Sequence, residues 1–349
     1  GAAPKRQSSR PSAAARHRAA TLLLSLLCLG CDPETRDHRH QLYAFGTLVT
    51  VDFFDVEPRT SAAAIAAVEA RIIEIDRNWY PWSQYPGELR RVNDAIAAGR
   101  SIEVSPMLAE LVRRATLLEE KSGGRFNPAI GHLTELWGFH DLAGLGTAPP
   151  DDDEIQKWLA ASPGGASLEW NGNMLHSASP DVMLDLGGIA KGSILEQLVT
   201  ILHDNGVENA IIDIGGDLTV LGRIRGRKAR IGIRSPRSER VLAWLEATGG
   251  ETVVTSGDYE RFFEHEGVRY QHILDPRSGY PVSHTVSATV VHEDPVLADA
   301  AATALLVAGA DGFDEMCAAL GLDQALIVDT SGDLRLTRGI EKRLNWPDR

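Results

Sequence analysis

The sequence predicts an α+β fold, with mixed or antiparallel sheets and packed helices. Segments with the alternating pattern of strands are frequent, above all in the second half, and segments with helical periodicity lie among them. They do not follow the regular βαβ alternation that a doubly wound parallel sheet requires. No internal repeat interrupts the 349 residues, and composition does not change along the body of the chain. We therefore expect one compact domain over residues 42–349.

The elements follow one another in a mixed order. A strand pattern over 43–54 precedes helical patterns over 61–80 and 106–124, and the second of these begins with Pro and ends with Gly, as helix termini prefer. A hairpin centred on Asn171-Gly172 comes next. Further strand patterns cover 182–187, 209–216, 218–224, 229–235, 252–257, 285–291 and 325–330, and further helical patterns cover 190–204, 296–309 and 311–320. Residues 144–153, rich in Pro, Asp and Gly, indicate an inserted loop.

The charge balance argues against a nucleic acid as partner. Hydrophobic residues make up 43% of the chain and charged residues 24%, as in ordinary soluble globular proteins. The formal net charge is −13, and residues 1–31 contain five basic residues and no acids, so the rest of the chain is more acidic still. Such a body lacks the positive surface that binds a phosphate backbone.

Residues 1–30 have the features of a lipoprotein signal peptide. A basic stretch, PKRQSSRPSAAARHR, precedes the apolar stretch AATLLLSLLCLG, which is too short to span a bilayer comfortably as a mature helix. The stretch ends at Gly30-Cys31, which resembles a bacterial lipoprotein cleavage site with Cys31 as the lipidated residue. The alternative is an ordinary secretory signal, because Cys28 stands where Leu is usual.

This interpretation predicts a flexible tether over 31–41 and a periplasmic, lipid-anchored protein. Asp32 after the lipidated Cys favours retention at the inner membrane. The remaining cysteine, Cys317, lies in an apolar helical pattern and fits a core residue. No CxxC pair or Cys/His zinc spacing is present, so neither a disulfide framework nor a zinc site is expected.

The segment VLADAAATALLVAG, residues 296–309, is an apolar helix with one carboxylate, Asp299, and one hydroxyl, Thr303. Residues four apart lie on the same face of a helix, so both oxygens can point at one spot. An unpaired buried carboxylate is costly. The pair therefore indicates either a polar site inside the fold or a helix whose two polar residues face solvent.

Two glycine-rich turns lie earlier in the chain. In MLDLGGIAKGSILEQLVTIL a strand pattern runs through Gly187-Gly188 into a helix, whose N-terminus favours anions such as phosphates and where Lys191 adds a positive charge. It matches neither the P-loop nor the Rossmann pattern. In IIDIGGDLTVLG, Gly215-Gly216 separates two strand patterns. A purely structural turn is the alternative in both places.

The segment 253–282 is dense in polar residues. It combines Thr255, Ser256, Asp258, Tyr259, His272, Asp275 and Arg277 with Gly and Pro turns. His272 lies between a predicted hairpin and the DPRSG turn, and polar residues on loops held by a scaffold are typical of functional sites. A structural histidine is the alternative.

Taken together in chain order, these motifs resemble the ApbE-type FAD:protein FMN transferases. The resemblance runs from about residue 43 to residue 335. It rests on Gly46-Thr47, Glu88-Leu89 with Asn93, RFNPAIGHLTELWGF, LDLGGIAKG, DIGGD, TSGDYERFFEHEGVRYQHILDPRSGYPV and ADAAATALLV. Seven motifs in a fixed order are far more specific than any one of them.

The resemblance implies a Mg²⁺-dependent enzyme that splits FAD at the pyrophosphate, transfers FMN to a Thr or Ser hydroxyl of an acceptor flavoprotein and releases AMP. It implies Asp299, Thr303 and the backbone carbonyl of Gly188 as metal ligands. His272 and Asp258 are the implied catalytic residues, with His272 acting on the acceptor hydroxyl. The implied flavin-nucleotide contacts are Phe45, Trp82, Phe126, Asn127, Pro128, Asp185, Lys191, Ser256, His272 and Ile273.

The implied chemistry suits the residues. Mg²⁺ prefers oxygen ligands and keeps positions open for phosphate oxygens and water, so it would compensate the buried Asp299. Phosphoryl transfer asks the protein mainly for positioning and electrostatics. Three features depart from the family: Asn127 stands where Asp is usual, Phe45 stands where Met is common, and NWYPWSQYPGEL is short. Among its aromatic residues we favour Trp82 for stacking on the flavin.

Two alternative functions use the same residues. A Mg²⁺-dependent FAD pyrophosphatase would use water in place of the acceptor hydroxyl and yield FMN and AMP. A membrane-tethered flavin-binding protein without turnover is the other alternative. The intact pair of Asp299 and Thr303 speaks against it, because binding alone does not require the metal.

Overall fold

An antiparallel sheet of eight strands is the framework of the part of the chain that the structure describes. The structure is a computed structural model and describes residues 37–82, 86–141 and 145–347. In chain order the strands are β1 (His38–Ala44), β2 (Thr47–Phe53), β3 (Ile102–Glu103), β4 (Leu168–Asn171), β5 (Met174–Ser177), β6 (Ala210–Ile214), β7 (Asp217–Leu221), β8 (Ala229–Arg234), β9 (Val241–Ala247), β10 (Thr252–Gly257), β11 (Phe262–His265), β12 (Val268–Gln271), β13 (Leu274–Asp275), β14 (Tyr280–Pro281), β15 (Thr285–His292), β16 (Ala325–Asp329) and β17 (Leu334–Leu336). The helices are α1 (Pro58–Asn78), α2 (Glu88–Ala97), α3 (Pro106–Lys121), α4 (Gly131–Leu136), α5 (Asp152–Ala161), α6 (Ala190–Asp204), α7 (Pro295–Leu320) and α8 (Arg338–Glu341), with a 3₁₀ turn at Gly165–Ser167.

The large sheet has the order β1-β2-β6-β7-β10-β15-β16-β17, so β1 and β17 are its edges. Every neighbouring pair in it is antiparallel. Smaller sheets are formed by β3-β5-β4 and by the hairpins β8-β9, β11-β12 and β13-β14. This arrangement confirms the predicted α+β class.

The core lies on both faces of the large sheet. On one face, β15 and its neighbours pack against α7, and α1, α3 and α6 complete the main hydrophobic cluster. On the other face, the β8-β9 hairpin covers the sheet with Ile231, Ile233 and Leu245. Because both faces of β15 are covered, seven of its eight residues are buried, with Ala288 and Val290 in the first cluster and Val286 and Val291 in the second. A third cluster joins α4 and α5 to Phe263 and Leu274.

Helix α7 is the central core helix. Asp294 caps its N-terminus by accepting hydrogen bonds from the amides of Val296 and Leu297. A kink at Gly309, with φ 66° and ψ −169°, divides it where the sequence predicts the end of one helix and the start of another. Within the described residues, α7 is the one helix that is long and apolar enough to span a bilayer. However, 72% of its apolar 18-residue stretch is buried inside the fold. Its apolar character therefore reflects its place in the core.

Helices α6 and α7 approach each other closely at Gly192. A Cβ atom at Gly192 would lie 2.2 Å from the carbonyl oxygen of Pro295, a distance that side-chain atoms do not tolerate. The missing side chain lets the first turns of both helices touch. This contact brings Lys191, next to Gly192, beside Asp299 one turn into α7.

The structure corrects several element predictions. The pattern over 43–54 belongs to two strands, because Phe45 and Gly46 form a tight turn with φ values of 55° and 72°. Residues 38–41, placed in the tether by the sequence, lie in β1, so that boundary was wrong. Residues 182–187 are not a strand, and only Met183 bridges to Ile130. The helices α2 and α5 were not predicted. Cys31 and the signal segment 1–30 lie outside the described residues.

The close contact between α6 and α7 makes Gly192→Ala a test of the packing. Gly to Ala within a helix normally stabilises by about 1 kcal/mol. Here the added methyl group must displace the backbone of Pro295, and we expect the free energy of unfolding to fall by about 1–3 kcal/mol. Urea unfolding measures the difference. The control is Gly232→Ala, where the new Cβ meets only side-chain atoms of Val241 at 3.5 Å; equal stability of both variants would contradict the packing.

Candidate active site

A buried ion pair marks the centre of the site. The ammonium group of Lys191, at the start of α6, forms an ion pair with the carboxylate of Asp217, the first residue of β7. Burial alone would lower the pKa of Lys191, but the carboxylates of Asp217, Glu260 and Asp299 outweigh it and raise the pKa above its usual value. Lys191 is therefore a permanent positive charge inside the fold.

The β6-β7 hairpin places Asp217. Gly215 and Gly216 form its turn with φ values of 62° and 98°, which side chains rarely adopt. The carboxylate of Asp217 is 1% exposed, and its Oδ1 accepts a hydrogen bond from the Thr255 amide at 3.0 Å. The hairpin thus presents a carboxylate from the sheet to Lys191 on the helix.

Asp299 is the second buried carboxylate of the site. It is 2% exposed, and its Oδ2 accepts a hydrogen bond from the Gly192 amide at 2.8 Å. Burial raises the pKa of Asp299 well above its usual range, and the negative charge of Asp217 raises it further. The Oδ1 atom has no hydrogen-bond donor within the part of the chain that the structure describes. A cation beside this oxygen would favour the ionised carboxylate.

Thr303 lies one turn after Asp299 on the same face of α7, and Gly188 lies next to Thr303. The Oγ1 atom of Thr303 is 3.5 Å from the Oγ of Ser256. A Cβ atom at Gly188 would lie 3.2 Å from Thr303 Oγ1 and 3.4 Å from the ring of Phe126. The missing side chain of Gly188 therefore eases the close approach of its backbone to Thr303.

These residues fit an oxygen-ligated divalent cation. Asp299 supplies a carboxylate, Thr303 a hydroxyl on the same helix face, and Gly188 a backbone carbonyl on the neighbouring turn. Mg²⁺ prefers such hard ligands and keeps water or phosphate in the remaining positions. Among the described residues no group of three or more His, Cys, Asp or Glu side chains is placed to hold a metal, so a zinc-type site is not formed there.

Asp185 holds the glycine turn in shape. Its Oδ1 accepts a hydrogen bond from the Gly187 amide at 2.9 Å, and its Oδ2 accepts one from the Thr134 hydroxyl at 3.0 Å. Asn93, buried on α2, exchanges two hydrogen bonds with the backbone of Leu184, at 2.8 and 2.9 Å. The polar residues of α2 and α4 thus fix the segment that leads to Gly188.

The RFNPAI segment lies against the same turn. The carbonyl of Pro128 accepts a hydrogen bond from the Asp185 amide at 2.8 Å, and Phe126 is buried beside Gly188. The side-chain amide of Asn127 donates to the Pro163 carbonyl at 2.9 Å, and its oxygen accepts from the Ala129 amide at 2.7 Å. The Asn127 side chain thus holds this segment in shape, and its contact with the nucleotide stays a prediction.

His272 is poised as a neutral base. Its Nδ1 lies 3.2 Å from the carbonyl oxygen of Arg261, and because a carbonyl can only accept, Nδ1 carries the proton and Nε2 is free to accept one. Burial, together with the positive charges of Arg261 and Lys191, lowers the pKa of His272 to about 3. The next residue, Ile273, is buried and its carbonyl accepts from the Val282 amide at 3.0 Å.

Asp258, a predicted catalytic residue, is engaged in an ion pair. Its carboxylate forms a bidentate ion pair with Arg237, with both nitrogen–oxygen distances at 2.7 Å. Both oxygens are thus engaged by a guanidinium group that Asp258 would have to leave in order to accept a proton. In this structure Asp258 holds Arg237, and its catalytic role stays a prediction.

Aromatic side chains border the site. Trp79 is buried in the core, whereas Tyr80, Trp82 and His140 form a cluster in which the Tyr80 and Trp82 rings lie edge to face at 5.8 Å. The indole of Trp82 donates to Glu135 at 2.8 Å. Trp82, which the sequence favours for stacking on the flavin, is partly exposed, and so is Tyr80.

Phe45 occupies a strained position near the Gly215 turn. Its φ of 55° is unusual for a bulky side chain, and its amide donates to Asp76 Oδ1 at 2.9 Å. The following residues lie beside the β6-β7 turn, since the Leu48 carbonyl accepts from the Gly215 amide at 3.1 Å. Phe45 is thus held near the strand end that carries Asp217.

Most of the predicted residues are brought together around Gly188 and Lys191. Four residues of the site were given no role from the sequence: Asp217, Asn93, Thr134 and Arg261. Asp217 follows the Gly-Gly turn of DIGGD directly, and this position was the one signal that could have identified it. The other three act through hydrogen bonds to residues far along the chain or on a neighbouring strand: Asn93 to the Leu184 backbone, Thr134 to the Asp185 carboxylate and the Arg261 carbonyl to the His272 ring. No local pattern reveals such contacts.

Comparisons with known proteins identify the family of this chain. Residues 45–327 match the model of the ApbE family. An FAD:protein FMN transferase of Rhodobacter capsulatus is 36% identical over 312 residues, which are 88% of this chain and 58% of the relative, so the chain spans little more than half of that protein. An FAD:protein FMN transferase of Treponema pallidum is 31% identical over 94% of this chain and 95% of its own length.

Solved structures show the same fold. The ApbE protein of Thermotoga maritima superposes with a TM-score of 0.78 at 30% identity, covering 88% of this chain and 99% of its own. The apo form of the flavinyl transferase ApbE of Pseudomonas stutzeri has a TM-score of 0.78 at 28% identity, covering 88% and 96%.

The surroundings of His272 predict an imidazole that does not titrate near neutral pH. With a pKa of about 3 in place of the usual 6.5 of a histidine, His272 should stay neutral from about pH 5 to about pH 8. Its neutral form stabilises the fold above the pKa of the unfolded chain, and this contribution is lost as the pH falls toward 3. Histidine-labelled protein followed by NMR checks this, with His272→Gln assigning the signal. A midpoint near 6.5 would contradict the assignment.

Proposed function

The chain belongs to the ApbE family, and we propose that it is a Mg²⁺-dependent transferase that moves FMN from FAD to a Thr or Ser hydroxyl of an acceptor flavoprotein and releases AMP. The observation that carries this proposal is the convergence of Lys191, Asp299 and Thr303 around the Gly188 turn. A permanent positive charge beside a set of hard oxygen ligands suits a pyrophosphate.

Lys191 is the residue that we assign to the phosphates. Its ion pair with Asp217 fixes the direction of the side chain, and the N-terminal amides of α6 add partial positive charge at the same place. The pyrophosphate of FAD would be held here with the flavin directed toward the aromatic cluster of Tyr80 and Trp82. Phe45 and Phe126 border the same region with apolar surface.

Asp299, Thr303 and the Gly188 carbonyl would hold Mg²⁺. The ion would neutralise the charge that develops on the pyrophosphate during transfer. Ser256, whose hydroxyl lies 3.5 Å from that of Thr303, is placed to bond a phosphate oxygen or a ligand water. The single carboxylate leaves the remaining positive charge of the ion for the phosphates.

His272 supplies the base. The free Nε2 atom accepts the proton of the acceptor hydroxyl as its oxygen bonds to the phosphorus of the FMN half, while the bond from that phosphorus to the bridging oxygen breaks and AMP leaves. Arg261 orients the imidazole through its carbonyl, which keeps the proton on Nδ1. Burial that keeps His272 neutral also keeps its base form populated at physiological pH.

We further propose that the protein acts as a periplasmic lipoprotein anchored through Cys31. The support is the basic segment, the short apolar stretch and the Gly30-Cys31 junction. The first strand begins at His38, so a short tether would separate the anchor from the sheet. An acyl anchor would place the enzyme at the surface where membrane flavoproteins expose their loops.

The role of Asp299 predicts the behaviour of Asp299→Asn. The variant keeps the volume and an oxygen for the Gly192 amide but loses the charge, so we expect FMN transfer and AMP release to fall by about a hundredfold or more without loss of folding. Intact mass of the acceptor reports FMN transfer, chromatography reports AMP, and both are followed across a Mg²⁺ titration beside a thermal melt.

The matched control for this experiment is Asp311→Asn, an exposed carboxylate on the same helix. It should remain active, with an unchanged Mg²⁺ dependence. A folded Asp299→Asn variant with normal Mg²⁺ dependence would remove Asp299 from the metal site. If the parent protein releases AMP while the acceptor gains no FMN, the activity is that of a pyrophosphatase instead.

The anchor proposal predicts the location of a Cys31→Ser variant. Expressed in a Gram-negative host, the parent should carry lipid on Cys31 and fractionate with membranes, whereas the variant should be recovered from the soluble periplasmic fraction. Fractionation with immunoblotting and mass spectrometry of the N-terminal peptide measure this. Equal partition of both proteins into the membrane fraction would show that Cys31 is not the anchor.

A further inference from the structure

One segment of this acidic protein is strongly basic. Between Arg223 and Arg240 there are eight Lys and Arg residues and one acid, Glu239, in a chain whose net charge is −13. The segment comprises the turn before β8, the strand β8 and the loop to β9. The basic residues are exposed and the proposed active site uses none of them as a ligand. They are Arg223, Arg225, Arg227, Lys228, Arg230, Arg234, Arg237 and Arg240.

Five of these residues form one surface, which we call the basic hairpin surface: Arg223, Arg225, Arg227, Lys228 and Arg230. Ile224 and Arg227 pair across a tight turn at Arg225-Gly226, which turns these side chains out of the fold. Four of them, from Arg225 to Arg230, line a groove of about 540 Å³ whose floor is formed by Ile211, Ile224 and Ala229.

Internal ion pairs do not neutralise this surface. Arg225 pairs with Asp37, but Arg223, Arg227 and Lys228 have no carboxylate partner within the residues that the structure describes. Arg234 and Arg237, farther along, are paired with Glu239 and Asp258. The positive charge is therefore concentrated at the Arg225-Gly226 end of the hairpin.

Exposed aromatic surface accompanies the charge. The guanidinium group of Arg230 lies 3.5 Å from the ring centre of Trp244, on the outer face of β9. The backbone of Trp244 pairs with Asn345, and the next residue, Trp346, is 44% exposed. Tryptophan beside Lys and Arg is the composition of protein surfaces that lie at a membrane interface.

The chain connects this surface to the N-terminal segment. Asp37, the partner of Arg225, lies six residues after Cys31. Six residues of fully extended chain span at most about 21 Å. The covalent chain therefore limits the distance between Cys31 and the basic hairpin surface, whatever path residues 31–36 take.

We infer that the basic hairpin surface docks on the anionic phospholipid headgroups of the membrane that the proposed Cys31 anchor enters. The inference rests on the proposed anchor for its geometry, and on the charge and the tryptophans for its chemistry. One lipid-modified residue binds a membrane weakly and reversibly unless a second signal such as a basic patch adds to it. Docking at a surface so near the tether holds the domain in one orientation on the bilayer.

The occupant is a lipid surface and not an acidic protein. An acidic protein would match the charge but would have no reason to lie within reach of the tether, nor to meet the indoles of Trp244, which is half-buried, and Trp346, which is exposed. Phosphate headgroups satisfy both the guanidinium groups and the neighbouring tryptophans.

Residues 32–349, which contain the whole compact unit Thr35–Arg349 with its core clusters, give a test without the anchor. We expect this protein to bind phosphatidylcholine vesicles that contain phosphatidylglycerol, not to bind vesicles of phosphatidylcholine alone, and to be released by high salt. The triple variant Arg223→Gln, Arg227→Gln and Lys228→Gln should bind the anionic vesicles at least about tenfold more weakly. Vesicle co-sedimentation measures the partition.

The control changes the same charge elsewhere. Arg59, Arg100 and Lys121 are exposed basic residues outside the surface, and their triple change to Gln should leave vesicle binding intact. If both triple variants lose vesicle binding equally, the effect reflects net charge alone and the inference is overturned. Equal binding to neutral and anionic vesicles, or no binding to either, would also overturn it.

AMP release from FAD is measured on the same samples, without vesicles and with a flavoprotein acceptor present. The variant at Arg223, Arg227 and Lys228 should retain it, because these residues lie outside the active site. Failure of AMP release in the parent would reject the proposed function while vesicle binding still reports on the surface. Vesicle binding is measured on a protein that lacks Cys31. The docking inference and the lipid-anchor proposal can therefore fail independently of each other.

Discussion

The hydrogen bond from the Gly192 amide to the Asp299 carboxylate joins the two helices on which the active site depends. It forms because Gly192 has no side chain and the backbone of α6 can touch Pro295 at the start of α7. Lys191 precedes this contact and Thr303 follows one turn after Asp299, so a single crossing of two helices positions the cationic and the oxygen-rich halves of the site. The glycine turn before α6 then needs only to be held, and Asp185 and Asn93 hold it from either side.

The charges of the site give Lys191 and His272 opposite protonation states. Lys191 and His272 are both partly buried, and burial disfavours the charged form of each. Lys191 remains charged because three carboxylates surround it, whereas His272 faces Arg261 and Lys191 and stays neutral. The same positive charges that suit a pyrophosphate therefore also keep the imidazole free to accept a proton. One arrangement of charges serves both binding and proton transfer.

The sequence predicted the fold class, most of the strands of the second half and the helices at 190–204 and 296–320, because these segments have a clear period. It missed α2 and α5, which are short, and it read 182–187 as a strand because its apolar residues are buried without pairing. For the site, the Asp299 and Thr303 pair was visible as an i, i+4 spacing. The pairing of Asp258 with Arg237 was not, since it joins the loop between β8 and β9 to the residue after β10, 21 positions away, and these strands lie in different sheets. Asp217 was likewise hidden, because its partner lies on a helix in another part of the chain.

The edge strand β1 affects whether copies of this protein can associate through their sheets. Proteins held on a membrane are crowded in two dimensions, and an open sheet edge is a template on which a second copy can continue the hydrogen-bond ladder. The outer side of β1 meets no other strand of the large sheet. Its first residues are His38, Arg39 and His40, and Arg39 is tied by a bidentate bond to Asp52 of the neighbouring strand. Charged and titratable side chains at an edge discourage growth of the ladder into a second molecule. The side chains of β1 therefore oppose the addition of a second copy at this edge of the sheet.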